Sequence, residues 1–474
     1  MKINFISPRQ LKYGYEKGFV VPLIVSFKRK EDPWRIARQV LERAPNAFFL
    51  DSGKFQEKTA RYSYLGWNPF RIFKSKKANQ VISSLRAIFR SYPGKRWAIP
   101  FFTGGAVGYF SYELAHAFET LPNRAQDDLD LDRASFLFVR DLLVFDHKES
   151  TYFAVANLIP SLDGSFQAGC ARALSFIEEC RTLFETGSID TNGHVRIKNF
   201  QADSSKRTFK HMVLRAKDYI EAGDIYQANL SQRFSFEFRG KPESIYEALR
   251  TINPSPFSSF LRIGPLTVAS TSPERLISLK GNKCETRPIA GTRPRGKTRG
   301  EEHRLRQELM MSPKERAEHI MLVDLERNDL GRVSEPHTVR VNELMTLERY
   351  SHVVHIVSNV SGRLRKDCDR FDLLRAIFPG GTITGCPKIR SMEIIEELEP
   401  FKRHLYTGSI GYLDFNGDMD LNIVIRSLIL YRNKGYLQVG AGIVYDSNPE
   451  AEYWETLHKG KALFDALCKS SSPS

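Results

Sequence analysis

Residues 446–464 read DSNPEAEYWETLHKGKALF. Within them Glu452, Glu455 and Lys459 follow at steps of three and four, which on a helix places two carboxylates and an ammonium on one stripe. Such a stripe is either a salt-bridged surface or a site in which hard oxygen ligands hold magnesium and a cation holds an anionic substrate. Asn448 is suited to cap this helix, with Pro449 in its first turn. Just before it, VGAGIVYD (439–446) is a strand interrupted by Gly440 and Gly442, with Ala441 between them. Glycine in a strand marks a place where another group approaches the backbone closely.

Three further segments carry reactive side chains. In SPKERAEHIMLVDLERNDLGR (312–332), Ser312 is an N-cap, Pro313 suits the first helical position and Glu315 closes a capping box. Glu318 and His319 follow, and taken alone Glu318 is an ordinary helix glutamate. In FPGGTITGCPKIRSMEIIEELEP (378–400) a Gly/Thr-rich loop runs into a helix starting near Pro387, which is either a simple turn or an anion-binding helix start. In VASTSPERL (268–276), Glu274 stands at a strand end beside a proline turn, as a general acid or as an N-terminal helix charge. RPIAGTRPRG (287–296) holds two glycines, two prolines and three arginines. It reads as a stiff cationic loop, unable to be a helix and poor as a central strand. There is no GxSxG or GxCxG nucleophile and no P-loop.

The elements that must position these residues fall in two halves, an N-terminal region 1–190 and a catalytic region 200–468. Strands are expected at 47–52, 61–66, 104–112 and 140–147, then at 230–238, 257–264 and 266–271, and later in YTGSIGYLD, LNIVIRSLILYR and YLQVGAGIVYD. Apolar residues at helical spacing mark 34–44, 170–184 and 209–224. The polar stretch 185–207 is the expected linker. The mixture implies an α+β fold with large antiparallel sheets and helices outside.

Composition bounds the function. The chain has 474 residues, 41% of them hydrophobic, which is ample for a large core. No apolar run is long enough to cross a membrane and the N-terminus is no signal peptide, so a cytoplasmic protein without membrane attachment is expected. Six cysteines lack CxxC spacing, so buried free thiols are expected rather than disulfides or zinc. The net charge of +15 suits an anionic partner. Its only macromolecular version, a nucleic-acid-binding or scaffold protein, finds no support in the spread of lysine and arginine or in any aromatic-interleaved basic motif.

Together these segments resemble the chorismate-utilising synthases, that is, anthranilate synthase component I and aminodeoxychorismate synthase component I. The resemblance spans nearly the whole chain and is densest from Gly223 to Lys461. It implies two big antiparallel sheets packed together with helices outside, chorismate as substrate and Mg²⁺ as cofactor. It implies Glu318 and Glu455 as metal ligands with Glu452 close by, and Glu274 as the acid that protonates the departing C4 hydroxyl. His355 matches an active-site histidine. Tyr406, Arg426, Gly440, Ala441, Gly442 and Lys459 would hold the substrate, and Gly291 and Thr292 would line the same pocket. The family's water-adding members carry a lysine base where this chain has Gln227, which fits ammonia as nucleophile. With no glutaminase chemistry in the chain, the resemblance implies a separate glutamine amidotransferase subunit as ammonia source.

FLDSG, YQANLSQRF, TGCPK and DLNIVIRS resemble the aminodeoxychorismate synthases more than the anthranilate synthases. The expected reaction is therefore conversion of chorismate and ammonia to 4-amino-4-deoxychorismate, for 4-aminobenzoate and folate synthesis, with anthranilate formation as the alternative. Ala290 speaks for the alternative, since many aminodeoxychorismate synthases carry a nucleophilic lysine there and alanine cannot attack. Ser52, Pro256 and Phe257 match a tryptophan pocket, but Asp51 replaces the usual glutamate.

Overall fold

The computed structural model describes residues 5–53, 59–185, 195–296, 298–349 and 353–471. Strand Asn46–Asp51 shows how its architecture arises. Phe48 and Phe49 point to opposite faces, as the two-residue period of a strand requires, yet both are buried. Phe48 joins a core that also holds Val107, Leu137, Ile410 and Tyr412, whereas Phe49 joins Trp34, Tyr246 and Phe260 under helices. A strand that is apolar on both sides belongs to a sheet covered on both sides.

Two such sheets, wholly antiparallel, pack face to face. Among the described residues the first has 12 strands. It runs from Val21–Lys28 through Thr151–Leu158, Asp141–Asp146, Tyr62–Trp67 and Asn46–Asp51 to Phe257–Ile263, Leu266–Ser272, Ser427–Tyr431, Lys434–Ile443, Gln227–Arg239 and the short Gly385–Cys386. The second has 10 strands. From Ile289–Pro294 it passes Val353–Arg363, Lys283–Thr286, Arg275–Lys280, Met419–Asn422 and Ser409–Asp414 to Gly105–Phe110, Ala134–Val139 and Arg71–Ser75, with Arg340–Arg349 also paired to Val353–Arg363. Helices Pro33–Leu41, Phe166–Glu185, Pro242–Ile252 and Pro449–Ser471 cover the outer face of the first sheet. Helices Ala78–Arg90, Pro313–Gly331 and Arg370–Ile377 cover that of the second. The expected α+β architecture is therefore present. The boundary near residues 190–200 divides the sequence but not the sheets, since each sheet takes strands from both sides of it.

Three local expectations need correction. LNIVIRSLILYR is two strands, Met419–Asn422 and Ser427–Tyr431, in different sheets. Arg426 lies between them with φ +52°, a left-handed turn that lets the chain leave one sheet for the other. In the expected linker, Arg196–Ala202 is an exposed strand on the side of Gln227–Arg239, where it needs little apolar surface; residues 186–194 lie outside the described residues. RPIAGTRPRG contains strand Ile289–Pro294, at the edge of the second sheet and bulged at Gly291, whose φ is +66°. An edge is where a strand tolerates its prolines. The six cysteines are free, but only Cys180 and Cys284 are buried, and Cys468 is exposed.

Candidate active site

The chain crosses between the sheets twice at one place. It leaves strand Leu266–Ser272 of the first sheet, turns at Pro273 and Glu274, and enters Arg275–Lys280 of the second. It returns through residues 423–426. The two crossovers are laced together: the Ser272 hydroxyl donates to Ile423 O at 2.5 Å, the Ile423 N–H to Glu274 O at 3.0 Å, and the Thr271 N–H to Arg426 O at 3.1 Å. Glu274 and Arg426 are thereby fixed side by side. Glu274 is 5% exposed, and this burial pushes its carboxyl up to about 8 even though Arg426 opposes the shift. It is an acid that still holds its proton at neutral pH, as a general acid must.

Other expected residues gather around this pair. Thr292 lies opposite His355 across the edge strand. His355 Nδ1 is 3.0 Å from the Thr292 hydroxyl and 3.1 Å from Gly291 O, so the ring presents Nδ1–H to the loop carbonyl. Burial, with the Arg426 charge, lowers His355 to about 3, so it is neutral at working pH. Gln227 Nε2 donates to Glu318 Oε1 at 2.9 Å. A side chain on Gly442 would meet Gln227 Nε2 at 2.5 Å, and one on Gly440 would meet the Tyr406 hydroxyl at 2.7 Å. The glycines of GAG thus make room for these two groups, with Ala441 buried beneath.

Asn448 caps helix Pro449–Ser471 through bonds from the Glu450 and Ala451 N–H groups at 2.9 and 3.1 Å. Glu452 is buried, its Oε1 accepting from the Ser447 hydroxyl at 2.6 Å while Oε2 is buried with no partner. Glu455 is exposed and ion-paired with Lys459 at 2.8 Å. Burial raises the carboxyls of both Glu318 and Glu452, and the Lys459 charge is near enough to act on both and on His355.

As for a metal, among the described residues no three acidic, histidine or cysteine side chains converge. Glu318, Glu452 and Glu455 are not assembled as a three-ligand cage, and Glu455 is exposed and paired with Lys459. A half-buried carboxyl, Glu318, and a buried one, Glu452, which has an orphaned oxygen, nevertheless form a donor set that suits a hard divalent cation.

Several expectations about individual side chains change. Glu315 does not complete a capping box: Ser312 accepts from the Glu315 N–H at 3.3 Å, but the Glu315 carboxylate binds Arg293 at 3.1 Å. The arginines of the cationic loop are anchors. Arg287 is buried against Glu343, at 2.8 Å, and Glu348, and Arg295 reaches Glu302 at 3.7 Å.

Ser52, Pro256 and Phe257 line a cavity of about 310 Å³ beside the crossovers, with Arg275, Asp420 and Tyr412. There Asp51 is already engaged, Oδ2 accepting from Arg250 Nε at 2.9 Å and from the Tyr246 hydroxyl at 3.2 Å. A second cavity, of about 750 Å³, is lined by none of the expected site residues; Asp329, Lys388 and Cys386 are among its walls.

Sequence reasoning passed over Glu326 and Asp329 on helix Pro313–Gly331. Both are buried, on the stripe that also holds His319, Leu322, Val323 and Leu330. The signal was present, since the helical period of that apolar stripe runs through Glu326.

A buried neutral acid among cationic side chains suits an enzyme acting on a small anion with a poor leaving group. Residues 45–465 match the family described as chorismate binding enzyme, and the chain belongs to that family. It is 43% identical over 450 residues to an anthranilate synthase component 1 of Acetivibrio thermocellus, covering 90% of this chain and 91% of that one. It is equally 43% identical, over 425 residues, to an aminodeoxychorismate synthase component 1 of Bacillus subtilis, covering 86% and 89%. The crystal structure of anthranilate synthase component I from Streptococcus pneumoniae superposes with a TM-score of 0.76 at 32% identity, over 98% of this chain and 99% of that one. No helix among the described residues is long and apolar enough to cross a membrane.

Proposed function

We propose that this chorismate-converting enzyme is component I of an aminodeoxychorismate synthase. It adds ammonia, delivered by a glutamine amidotransferase subunit, to chorismate and releases 4-amino-4-deoxychorismate. The observation that carries this reading is the placement of the motifs that favour it. Gly385–Cys386 of TGCPK pairs with Gln227–Ala228 of YQANLSQRF, next to Glu318, and the turn of DLNIVIRS holds Arg426 beside Glu274.

In this reading Glu274 gives its proton to the C4 hydroxyl as it departs. Arg426 and Lys459 hold the substrate carboxylates, and Tyr406 offers its hydroxyl above Gly440. Mg²⁺, held by Glu318 and Glu452 with Glu455 within reach of the same face, would neutralise a substrate carboxylate that otherwise repels these glutamates. Neutral His355, steered by Gly291 O and Thr292, orients polar groups of the substrate without adding charge. Gln227 offers no strong base, which ammonia does not require.

Anthranilate formation is the second reading, and Ala290 favours it, because the chain has no nucleophilic side chain at that position. Incubation with chorismate, Mg²⁺ and ammonium, with and without aminodeoxychorismate lyase, separates the two. The first reading expects 4-aminobenzoate only when lyase is present. Anthranilate fluorescence in the absence of lyase would overturn it.

A further inference from the structure

Glu274 gives up its proton where solvent scarcely reaches, and each turnover leaves there a carboxylate that has to be recharged. A second carboxyl lies behind it. Glu326, 3% exposed, projects inward from helix Pro313–Gly331. The same two segments embrace both groups. From one, the Thr286 hydroxyl donates to Glu326 Oε2 at 2.9 Å and the Ile289 N–H donates to Glu274 Oε1 at 3.4 Å. From the other, the short helical turn Gly381–Ile383, the Gly381 N–H faces Glu326, while the Thr382 hydroxyl, buried without a hydrogen-bond partner, faces Glu274.

The line continues outward. Asp329 is buried one turn along the helix and is ion-paired with Lys388, whose ammonium also donates to Ile377 O at 2.8 Å. Asp329 and Lys388 form part of the wall of the 750 Å³ cavity. The groups facing Glu274 are Glu326 and Arg426; those facing Glu326 are Asp329, Lys388 and Glu274.

We infer that Glu326 is the proton donor that recharges Glu274, fed from the cavity walled by Asp329 and Lys388; this rests on the general-acid role proposed for Glu274. The proton count closes. Glu274 loses its proton to the hydroxyl as the C4–O bond breaks and water leaves. The Glu326 O–H bond then breaks, and its proton passes to the Glu274 carboxylate. Ammonia forms the new C–N bond and keeps its three hydrogens as the product's ammonium, while Glu326 regains a proton from cavity water by way of Asp329, so one solvent proton enters for each water expelled and leaves on that ammonium, and nothing is oxidised or reduced. Burial, reinforced for Glu326 by Asp329, raises Glu326 to about 7 and Glu274 to about 8, so both carboxyls can hold and exchange a proton near neutral pH. The cleft side of Glu274 is where substrate and product sit, which leaves the rear route open throughout the cycle.

The test compares Glu326→Gln with wild type, using Mg²⁺, chorismate and ammonium. A single turnover with enzyme in excess starts from protonated Glu274 and is expected within about twofold of wild type, whereas kcat is expected to fall about tenfold at little-changed KM. Added formate, a small diffusible acid, is expected to restore part of that loss. Glu326→Asp, which keeps an acid, is expected to retain most of kcat, and it carries the test if the glutamine variant does not fold. An unchanged kcat in Glu326→Gln, a single-turnover rate that falls in step with kcat, or equal impairment of the two variants would overturn the inference. A wild-type enzyme that converts no chorismate sinks the functional reading and the inference with it. An active wild type with an unimpaired Glu326→Gln sinks the inference alone.

Discussion

Burial gives Glu274 its chemistry and also makes it a liability for stability. Its folded value of about 8 lies far above the ordinary 4.5, so between these pH values the folded protein keeps a proton that the unfolded chain has lost. Its contribution to stability is therefore fully present below pH 4.5 and is lost as pH rises through about 8. Glu274→Gln never ionises. It is expected to melt above wild type, by more at pH 9 than at pH 6, while kcat drops by about a hundredfold or more; calorimetry and steady-state rates check both. Wild-type activity is expected to decline above about pH 8 as the acid loses its proton. His355 has the opposite sign. Its folded value of about 3 lies below the ordinary 6.5, so its contribution is lost as pH falls through that window. At this scale the sequence was informative wherever a residue sat in a recognisable motif, as Glu274, Glu318 and Gly442 do. The helical period placed Glu326 on the buried stripe, but its acidity was not legible, because the distant turn Gly381–Ile383 closes over that carboxyl.

At the scale of elements, the edge strand Ile289–Pro294 is held by its arginines, which are committed to protein carboxylates. Arg287→Ala would remove the buried arginine that ties Glu343 and Glu348 to the edge strand, and is expected to cost about 3 kcal/mol of stability. The KM for chorismate should change little; a large rise in KM with an unaltered melting temperature would instead assign Arg287 to the substrate. The pairing of Gln227–Arg239 with Lys434–Ile443 makes a complementary prediction. A methyl group on Gly442 would displace Gln227 from Glu318, so Gly442→Ala is expected to lower kcat/KM roughly ten- to hundredfold with the fold intact. Most strands and the principal helices were legible from apolar periodicity. The break at Arg426 was not, since IVIRSLIL is an unbroken apolar run, and what splits it is the need to pass from one sheet to the other.

At the scale of the whole molecule, the sheets bind the two halves of the sequence together. A chain cut within residues 186–194 is expected to give two pieces that fail to fold when expressed apart and regain activity when expressed together, as circular dichroism and chorismate turnover would show. The antiparallel, helix-covered architecture followed from the pattern of elements. The sharing of both sheets did not, because sequence patterns reveal where strands are but not which distant strand each one meets. The same pairing sets a condition on synthesis. Strand Gly105–Phe110 pairs on one side with Ala134–Val139, made soon after it, and on the other with Ser409–Asp414. A ribosome making about 5–20 residues per second takes roughly 15–60 s to reach that second partner. For that interval an apolar edge stands open on the nascent chain, and soluble yield will depend on the chaperones that cover it.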